Sequence, residues 1–498
     1  MSAVLAALAR HAAGRPDAVA MIGDGVLLNY AALAARVDTV AATLFPVPGM
    51  RCALLLDNGI GWALTDLAAR RARAVLVPIP LFFSPQQLRH ALATSGVDGI
   101  VTDQTARLDQ TLPAPQDVTA LLGQPAAFVR LEQANHPRLP GVTDKVTFTS
   151  GTTGNPKGVC LSQDSIDRVA QSLLAASGGH AEDRHLALLP LATLLENIAA
   201  IDVPILAGAT TVLWPLAAVG LKGSSQLDAS AMLAAIERAE ATSIVTVPQI
   251  LMGLMGAVAR SRPPARLRLV SVGGAPLSRM VLERAKAIGL PVCEGYGLSE
   301  ASSVVAFNTP GDARPGSVGR PLPHVELTFA QDGEILVKGS IAQGYLGADP
   351  GTSQPRPDAF WPTGDLGHLD ADGHLHLDGR KKDMFITSFG RNVAPEWVEA
   401  ELTASGSIAQ AAVFGEARPW NAAIIVPSGI GDPIADIGKV NDSLPDYARI
   451  TRWLIAGEPF TAMNELATPN GRLRRDRIFA RYREALQRIY EDETIDVL

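Results

Sequence analysis

Residues 147–159, Thr147-Phe148-Thr149-Ser150-Gly151-Thr152-Thr153-Gly154-Asn155-Pro156-Lys157-Gly158-Val159, gather five hydroxyl side chains, three glycines and one lysine into thirteen positions. No regular helix or strand is served by that composition. Glycines let backbone N–H groups approach a ligand, and hydroxyls with a lysine add donors and positive charge, so the natural guest is a string of phosphates. The stretch is not the P-loop of the common nucleoside triphosphatases. That loop needs Gly-Lys-Ser/Thr, whereas here Pro156 precedes Lys157 and Gly158 follows it. A flexible linker would have no use for a lysine held behind a proline. Val146 and Phe148 before the loop, and Val159 and Leu161 after it, predict two short bracketing strands.

Three further segments could do chemistry. Glu294-Gly295-Tyr296-Gly297-Leu298-Ser299-Glu300 comes directly after an apolar strand pattern, and loops at the carboxyl ends of parallel strands are where such folds bind ligands. Tyr296 offers a ring to stack on a base. Glu300 offers hard oxygen suited to Mg2+ on a nucleotide; a hairpin turn with a surface glutamate would read the same way. Trp361-Pro362-Thr363-Gly364-Asp365-Leu366-Gly367 puts a single acid on a tight glycine turn, where it could accept both hydroxyls of a ribose or simply end a turn. Gly379-Arg380-Lys381-Lys382-Asp383 is, by composition alone, a solvated charge run. Its place at a shift in composition, just before Ser388-Phe389-Gly390-Arg391-Asn392, raises it above that.

The chain that must position these groups has 498 residues, enough for two or three domains. Hydrophobic content of 47% and charged content of 19% fit a globular protein. A net charge of −7 without a long basic run argues against nucleic acid as a partner. Cys52, Cys160 and Cys293 are scattered and odd in number, which argues for a reducing, cytoplasmic setting and against a disulfide framework or thiolate metal site. Residues 1–17 have helical spacing but no continuous apolar core of a signal peptide. The apolar run 198–214 is broken by Asp202, Pro204 and Gly208, so it reads as a buried helix leading into a strand. Peripheral membrane contact and oligomeric state stay open.

Apolar strands at 18–22, 51–56, 74–79 and 99–102 alternate with helices from near Asn29, at 62–72 and at 85–93. This predicts a parallel sheet covered on both faces, and 103–145 reads as a connection with little core. A second round follows. Helices are expected at 164–177, 192–207, 230–240 and 278–288, and strands at 186–190, 243–247, 267–272 and 291–294. From about residue 317 the period changes to two, with turns at Asp332-Gly333 and Asp372-Gly373, which predicts antiparallel hairpins. A smaller region after Arg380 reads as helix 396–404, strands 408–414 and 422–426, helix 440–456 and helix 474–489.

Taken together, the loop at 149–158, Tyr296-Gly297 with Glu300, Thr363-Gly364-Asp365 and Gly379-Arg380 resemble, in this order and spacing, the superfamily of acyl- and aryl-CoA synthetases, firefly luciferase and non-ribosomal peptide synthetase adenylation domains. The similarity runs from about residue 5 to 480. Residues 384–392 and Pro395-Glu396 look most like the long-chain fatty acyl-CoA synthetase branch. The resemblance implies an α/β fold. A large N-terminal AMP-binding domain, residues 1–380, would hold two parallel-type sheet subdomains and a small β-barrel-like hairpin subdomain. A small mobile α+β domain, residues 381–498, would turn about a hinge near Lys382.

It also implies the chemistry: ATP and a carboxylic acid, here a medium- or long-chain fatty acid, give an acyl-adenylate, and a thiol then displaces AMP. ATP, Mg2+ and coenzyme A are the expected cofactors. Thr149, Ser150, Gly151, Thr152, Thr153, Gly154 and Lys157 would hold the β- and γ-phosphates. Gly274, Ala275, Pro276, Glu294, Gly295, Tyr296 and Gly297 would surround adenine. Ser299 and Glu300 would bind Mg2+, with serine where the family more often has threonine. Asp365 and Arg380 would grip the ribose, and Gly390 would line the pantetheine channel. Val247, Ile250, Leu251, Met252 and Met255 are candidates for an acyl tunnel, or for a core helix.

Two positions depart from the pattern. Arg472, in Thr468-Pro469-Asn470-Gly471-Arg472, stands where the family usually has a lysine that touches both reacting partners. Arginine keeps the charge but is planar and fork-shaped, so Arg472 is expected to retain a weakened catalytic role, with Arg474 as the alternative cation. Thr193 stands where the family usually has a histidine that gates thiol entry, and the adjoining Glu196-Asn197 reads as a helix cap. Alternative readings follow from these departures: transfer to the phosphopantetheine of a carrier protein, adenylate formation without coenzyme A, or a degenerate protein that binds nucleotide or acyl-AMP without turnover.

Overall fold

The computed structural model describes residues 2–491 apart from 24, 109–111, 132–135, 150–155, 223–225, 348–353 and 469–470. An eight-stranded sheet has a parallel centre: Lys145–Thr149, Val75–Pro78, Arg51–Leu55 and Gly99–Thr102, in that order. The central strands carry apolar residues on both faces because helices such as Ile60–Ala72 cover them. The edges are antiparallel: Lys157–Leu161 and Gly344–Tyr345 on one side, Ala127–Arg130 and Gln116–Asp117 on the other. The stretch 103–145 is therefore more than a connection. Phe128 and Val129 add a buried strand that pairs with Gly99–Thr102, a short segment whose flanking Pro and Gln mask its apolar pattern.

A nine-stranded sheet is parallel from Val292–Tyr296 through Leu269–Val272, Ser243–Thr246, Arg184–Leu186 and Thr210–Val212 to Val19–Ile22, and is closed at both ends by antiparallel strands. Local signals set its helices. Asn29 caps Tyr30–Leu44 by accepting from the Ala32 N–H, and Ser278 caps Arg279–Ala287 through the Val281 N–H. The helix expected over 192–207 is Leu194–Asn197 and Val203–Ala207 joined by a π-helical turn, Ile198–Asp202. Pro204 lacks the N–H that a regular ladder would need there.

The hairpins make a four-stranded antiparallel sheet, Val325–Phe329, Glu334–Gly339, Trp361–Leu369 and Leu375–Arg380. Asp365 thus lies on a strand, not on a turn. Gly364, at φ +74°, is an irregularity within that strand. The smaller C-terminal domain packs helix Pro395–Ala404 on one face of the sheet Ile408–Phe414, Asn421–Pro427 and Ile450–Ile455, and helix Arg475–Glu491 on the other. The helix expected over 440–456 is instead the end of helix Pro433–Ser443 followed by strand Ile450–Ile455. Pro445 stops the helix, and the β-branched and aromatic residues Ile450, Thr451 and Trp453 favour the strand.

Candidate active site

The strands flanking the hydroxyl-rich loop pair antiparallel, with Thr149 opposite Lys157. Ser150, Gly151, Thr152, Thr153 and Gly154 lie outside the described residues. Lys157 is exposed, and its ammonium stands over the Tyr345 ring, 5.5 Å from the centroid. The Tyr345 hydroxyl donates to Glu300 Oε1 at 2.7 Å. One tyrosine therefore brings the loop's cation and the candidate metal carboxylate into one neighbourhood. Tyr345 was missed from sequence, because nothing in its local pattern separates it from a packing aromatic.

The strand ahead of the loop is anchored by a second unanticipated feature. Lys145 is buried, with Nζ 2.6 Å from Asp66 Oδ1 and hydrogen-bonded to the Asn197 side chain. Arg70 bridges Asp66 at 2.5 Å and Asp202 at 2.6 Å. Burial opposes the ionised form of Asp66, but Arg70 and Lys145 outweigh it and hold the carboxyl below its ordinary range. Two acids and two bases thus tie helix Ile60–Ala72, strand Lys145–Thr149 and the π turn together. Asn197 belongs to this cluster rather than to a helix cap, and Glu196 is buried beside His185.

At the carboxyl ends of the parallel strands, Glu294, Gly295 and Tyr296 are the last residues of a strand rather than the loop after it. Gly297 admits no side chain, because a Cβ there would stand 1.6 Å from the Ser303 carbonyl oxygen. Glu294 is buried and accepts from the Leu277 N–H at 3.2 Å, which ties down the turn Gly274-Ala275-Pro276. Burial pushes its carboxyl up to about 8. The Tyr296 hydroxyl donates to Asp365 Oδ2 at 2.6 Å, and Arg380 Nε lies 2.7 Å from Asp365 Oδ1. Burial lifts the Asp365 carboxyl above its ordinary value against the pull of Arg380, and Arg472 acts on it in the same lowering direction.

Gly274, Ala275, Tyr296, Gly297, Ser299 and Arg472 all line one cavity of about 850 Å³, and Thr193 lines it too. The loop around Arg472 is held by the Thr468 N–H donating to the Arg472 carbonyl at 2.6 Å and by the Arg472 N–H donating to Thr468 Oγ1 at 3.0 Å. Arg472 also approaches Glu396 at 3.4 Å. Arg474 is buried and absent from the lining, so the alternative cation points elsewhere. Gly390, at φ +71°, lies in an exposed turn outside the cavity, and Lys382 is exposed beside Lys381, which pairs with Asp332 and Glu334. Of the tunnel candidates, Val247 and Ile250 line the cavity. Leu251 and Met255 face the core one helical turn apart, and Met252 packs against the same core.

Among the described residues no group of three His, Cys, Asp or Glu side chains could hold a metal alone. Mg2+ carried by a triphosphate needs only one or two protein oxygens, and the Glu300 carboxylate with Ser299 adjoining fits that demand. Among the described residues no helix is long and apolar enough to cross a membrane.

A sequence model of the AMP-binding enzyme family matches residues 8–346, and one of the AMP-binding enzyme C-terminal domain matches residues 382–494. The chain is 31% identical over 441 residues to the long-chain-fatty-acid–CoA ligase FadD15 of Mycobacterium bovis, covering 76% of this chain and 73% of that protein. It is 31% identical over 506 residues to the indoleacetate–CoA ligase of Aromatoleum aromaticum, covering 94% and 96%. The o-succinylbenzoate CoA synthetase of Bacillus subtilis, solved with its acyl-adenylate intermediate, superposes with a TM-score of 0.76 at 25% identity over 95% of this chain and 97% of that one. ATP, Mg2+ and coenzyme A, expected from the sequence, are the standard partners of such relatives. With both family models matched in order over most of its length, this chain belongs to the AMP-binding enzyme family.

Proposed function

We propose that this chain is an AMP-forming acid–thiol ligase. It joins ATP to a medium- or long-chain fatty acid with release of pyrophosphate, and then passes the acyl group from the acyl-adenylate to coenzyme A. The observation that carries the reading is the gathering of Gly274, Tyr296, Thr193 and Arg472 around one cavity, with the Asp365–Arg380 pair joined to Tyr296. The fatty-acid and indoleacetate CoA ligases among the relatives support the reaction class.

In this reading residues 149–154 and Lys157 hold the β- and γ-phosphates, and residues 274–276 and 294–297 frame adenine. Asp365 accepts the ribose hydroxyls, with Arg380 beside it. The substrate carboxylate attacks the α-phosphorus, the bond to pyrophosphate breaks, and negative charge builds on both products. Lys157, Arg472 and N–H groups of the glycine-rich loop would meet that charge. Mg2+, held by Glu300 with the Ser299 hydroxyl beside it, would neutralise charge on the phosphates. The chain divides at residues 380 and 381, and the C-terminal domain turns about Lys382 between half-reactions. That turn carries Arg472 away and brings Gly390 to a thiol channel passing Thr193. Arg472 in the cavity and Gly390 outside it suit the first half-reaction. The three free, buried cysteines suit a cytoplasmic setting.

Pyrophosphate release and thioester formation across straight-chain and aryl acids, with and without coenzyme A, test the reading. Fatty acids should give both products. Release without a coenzyme A thioester would move the acceptor to a carrier-protein pantetheine or leave the adenylate as product. No release with any acid would leave a nucleotide-binding protein without turnover.

A further inference from the structure

The cavity does not stop at the nucleotide end. It runs along one face of the nine-stranded sheet, and its lining at the amino ends of the strands includes His185, Ser243 and Arg268. Between the two ends the wall carries Leu173, Val203, Val245 and Leu269, with Ser271 as a polar residue among them. From Gly273 back to Leu269, the register partner of Ser243, is four residues, roughly 13 Å at ~3.3 Å each.

The far end is built from polar groups that the ligase chemistry leaves unused. His185 and Ser243 are register partners on neighbouring parallel strands, and His185 Nδ1 lies 3.0 Å from Ser243 Oγ. His185 Nε2 faces Glu196 Oε1 at 3.6 Å, with His185 5% exposed and Glu196 wholly buried. The Glu196 carboxylate faces His185 and the Leu188 and Leu189 backbone N–H groups, contacts that stop short of full hydrogen bonds among the described residues. If His185 carries its proton on Nε2 toward Glu196, Ser243 donates to Nδ1 and its lone pairs stay unused. If His185 is cationic, Nδ1 donates to Ser243 and the serine proton is free to donate. In both states Ser243 keeps an unused hydrogen-bonding position at the tunnel's end. The remote group is not a second carboxylate. Arg268 is already engaged, through Nε to Asp183 at 2.7 Å and a second nitrogen to the other Asp183 oxygen, and through a third to the Ser177 carbonyl at 2.9 Å, so an added anion would meet Asp183 and Glu196.

We propose that the acid activated by this chain bears a hydroxyl at the end remote from its carboxyl, selected by Ser243 with His185 and Glu196 positioned behind it. This rests on the ligase reading above and specifies its substrate. The test is kcat/KM for pyrophosphate release with three matched acids: dodecanoate, 12-hydroxydodecanoate and dodecanedioate. The hydroxy acid should exceed dodecanoate by about tenfold or more, because a site built around a hydroxyl penalises the analogue without it. Ser243→Ala should bring that ratio close to one, and Ser243→Thr, which keeps a hydroxyl, should restore part of it. Circular dichroism melting checks that the variants fold; should Ser243→Ala not fold, the wild-type ratio decides alone. Turnover of dodecanoate with no preference for the hydroxy acid, preference for the diacid, or an unchanged ratio in folded Ser243→Ala overturns the proposal and leaves the ligase reading standing. No turnover of these or any other acid takes down both.

Discussion

Asp365 and Arg380 face each other across adjacent antiparallel strands, Nε to Oδ1 2.7 Å, and Tyr296 reaches the same carboxylate from the nine-stranded sheet with its hydroxyl at 2.6 Å. Two sheets are thereby joined through one acid beside the cavity. If that acid holds ribose, Asp365→Ala should weaken ATP binding by about 1.5–3 kcal/mol, roughly 10- to 150-fold in Kd, the range for hydrogen bonds to a charged group. Titration calorimetry with Mg-ATP measures it. An unchanged Kd would remove Asp365 from the nucleotide site.

Arg472 and Thr193, the two positions where the sequence leads one to expect a departure from the family's pattern, both line the cavity. Removing the charge with Arg472→Ala should cost about 3–4 kcal/mol of transition-state stabilisation, seen as a fall of roughly 10²–10³ in the rate of acyl-adenylate formation in a single turnover. Arg472→Lys should keep the rate or raise it, since the compact ammonium keeps the charge and is the group the family usually places there. Adenylate formation unchanged in Arg472→Ala would show that another cation does this work.

The parts of the site legible in the sequence were those carried by unusual composition in one stretch. Residues 147–159 announce a loop between strands because no helix or strand would gather those hydroxyls and glycines, and the strands fall at Lys145–Thr149 and Lys157–Leu161. The Asp365–Arg380 pairing was not legible as geometry. Gly364 reads as a turn, while its positive φ is absorbed inside a strand whose neighbours complete the ladder. Tyr345 and the Lys145 cluster were invisible for a different reason: their partners lie far along the chain, and one lysine in an apolar strand carries no sign of the acids that neutralise it. Residues 440–456 misled because the apolar spacing runs through Pro445 without a break, and the proline, not the spacing, sets the element's end.

Lys145 is the test of that hidden cluster. Lys145→Met keeps the length and removes the charge, leaving Asp66 and Asp202 to share Arg70 in a dry interior. Breaking a buried ion pair by removing one partner typically costs about 3–5 kcal/mol. Urea unfolding should show a loss of that size, and the double variant Lys145→Met/Asp66→Asn should recover part of it. A single variant as stable as the parent would mean that the cluster is already neutral without Lys145.

Glu294 ties strand Val292–Tyr296 to the turn after Val272, and its burial makes stability depend on pH with a definite sign. Its carboxyl is lifted from the ordinary 4.5 to about 8 in the fold. Between those values the folded protein holds a proton that the unfolded chain has released. The contribution is therefore fully present below about 4.5 and is lost as pH rises through 8. Glu294→Gln keeps an acceptor for the Leu277 N–H and cannot ionise. Its melting temperature should fall less than that of the parent between pH 5 and 8, the difference widening toward the alkaline end of that window. Parallel curves for the two proteins would mean that Glu294 is ionised in the fold, with a compensating cation near it that its buried surroundings do not supply.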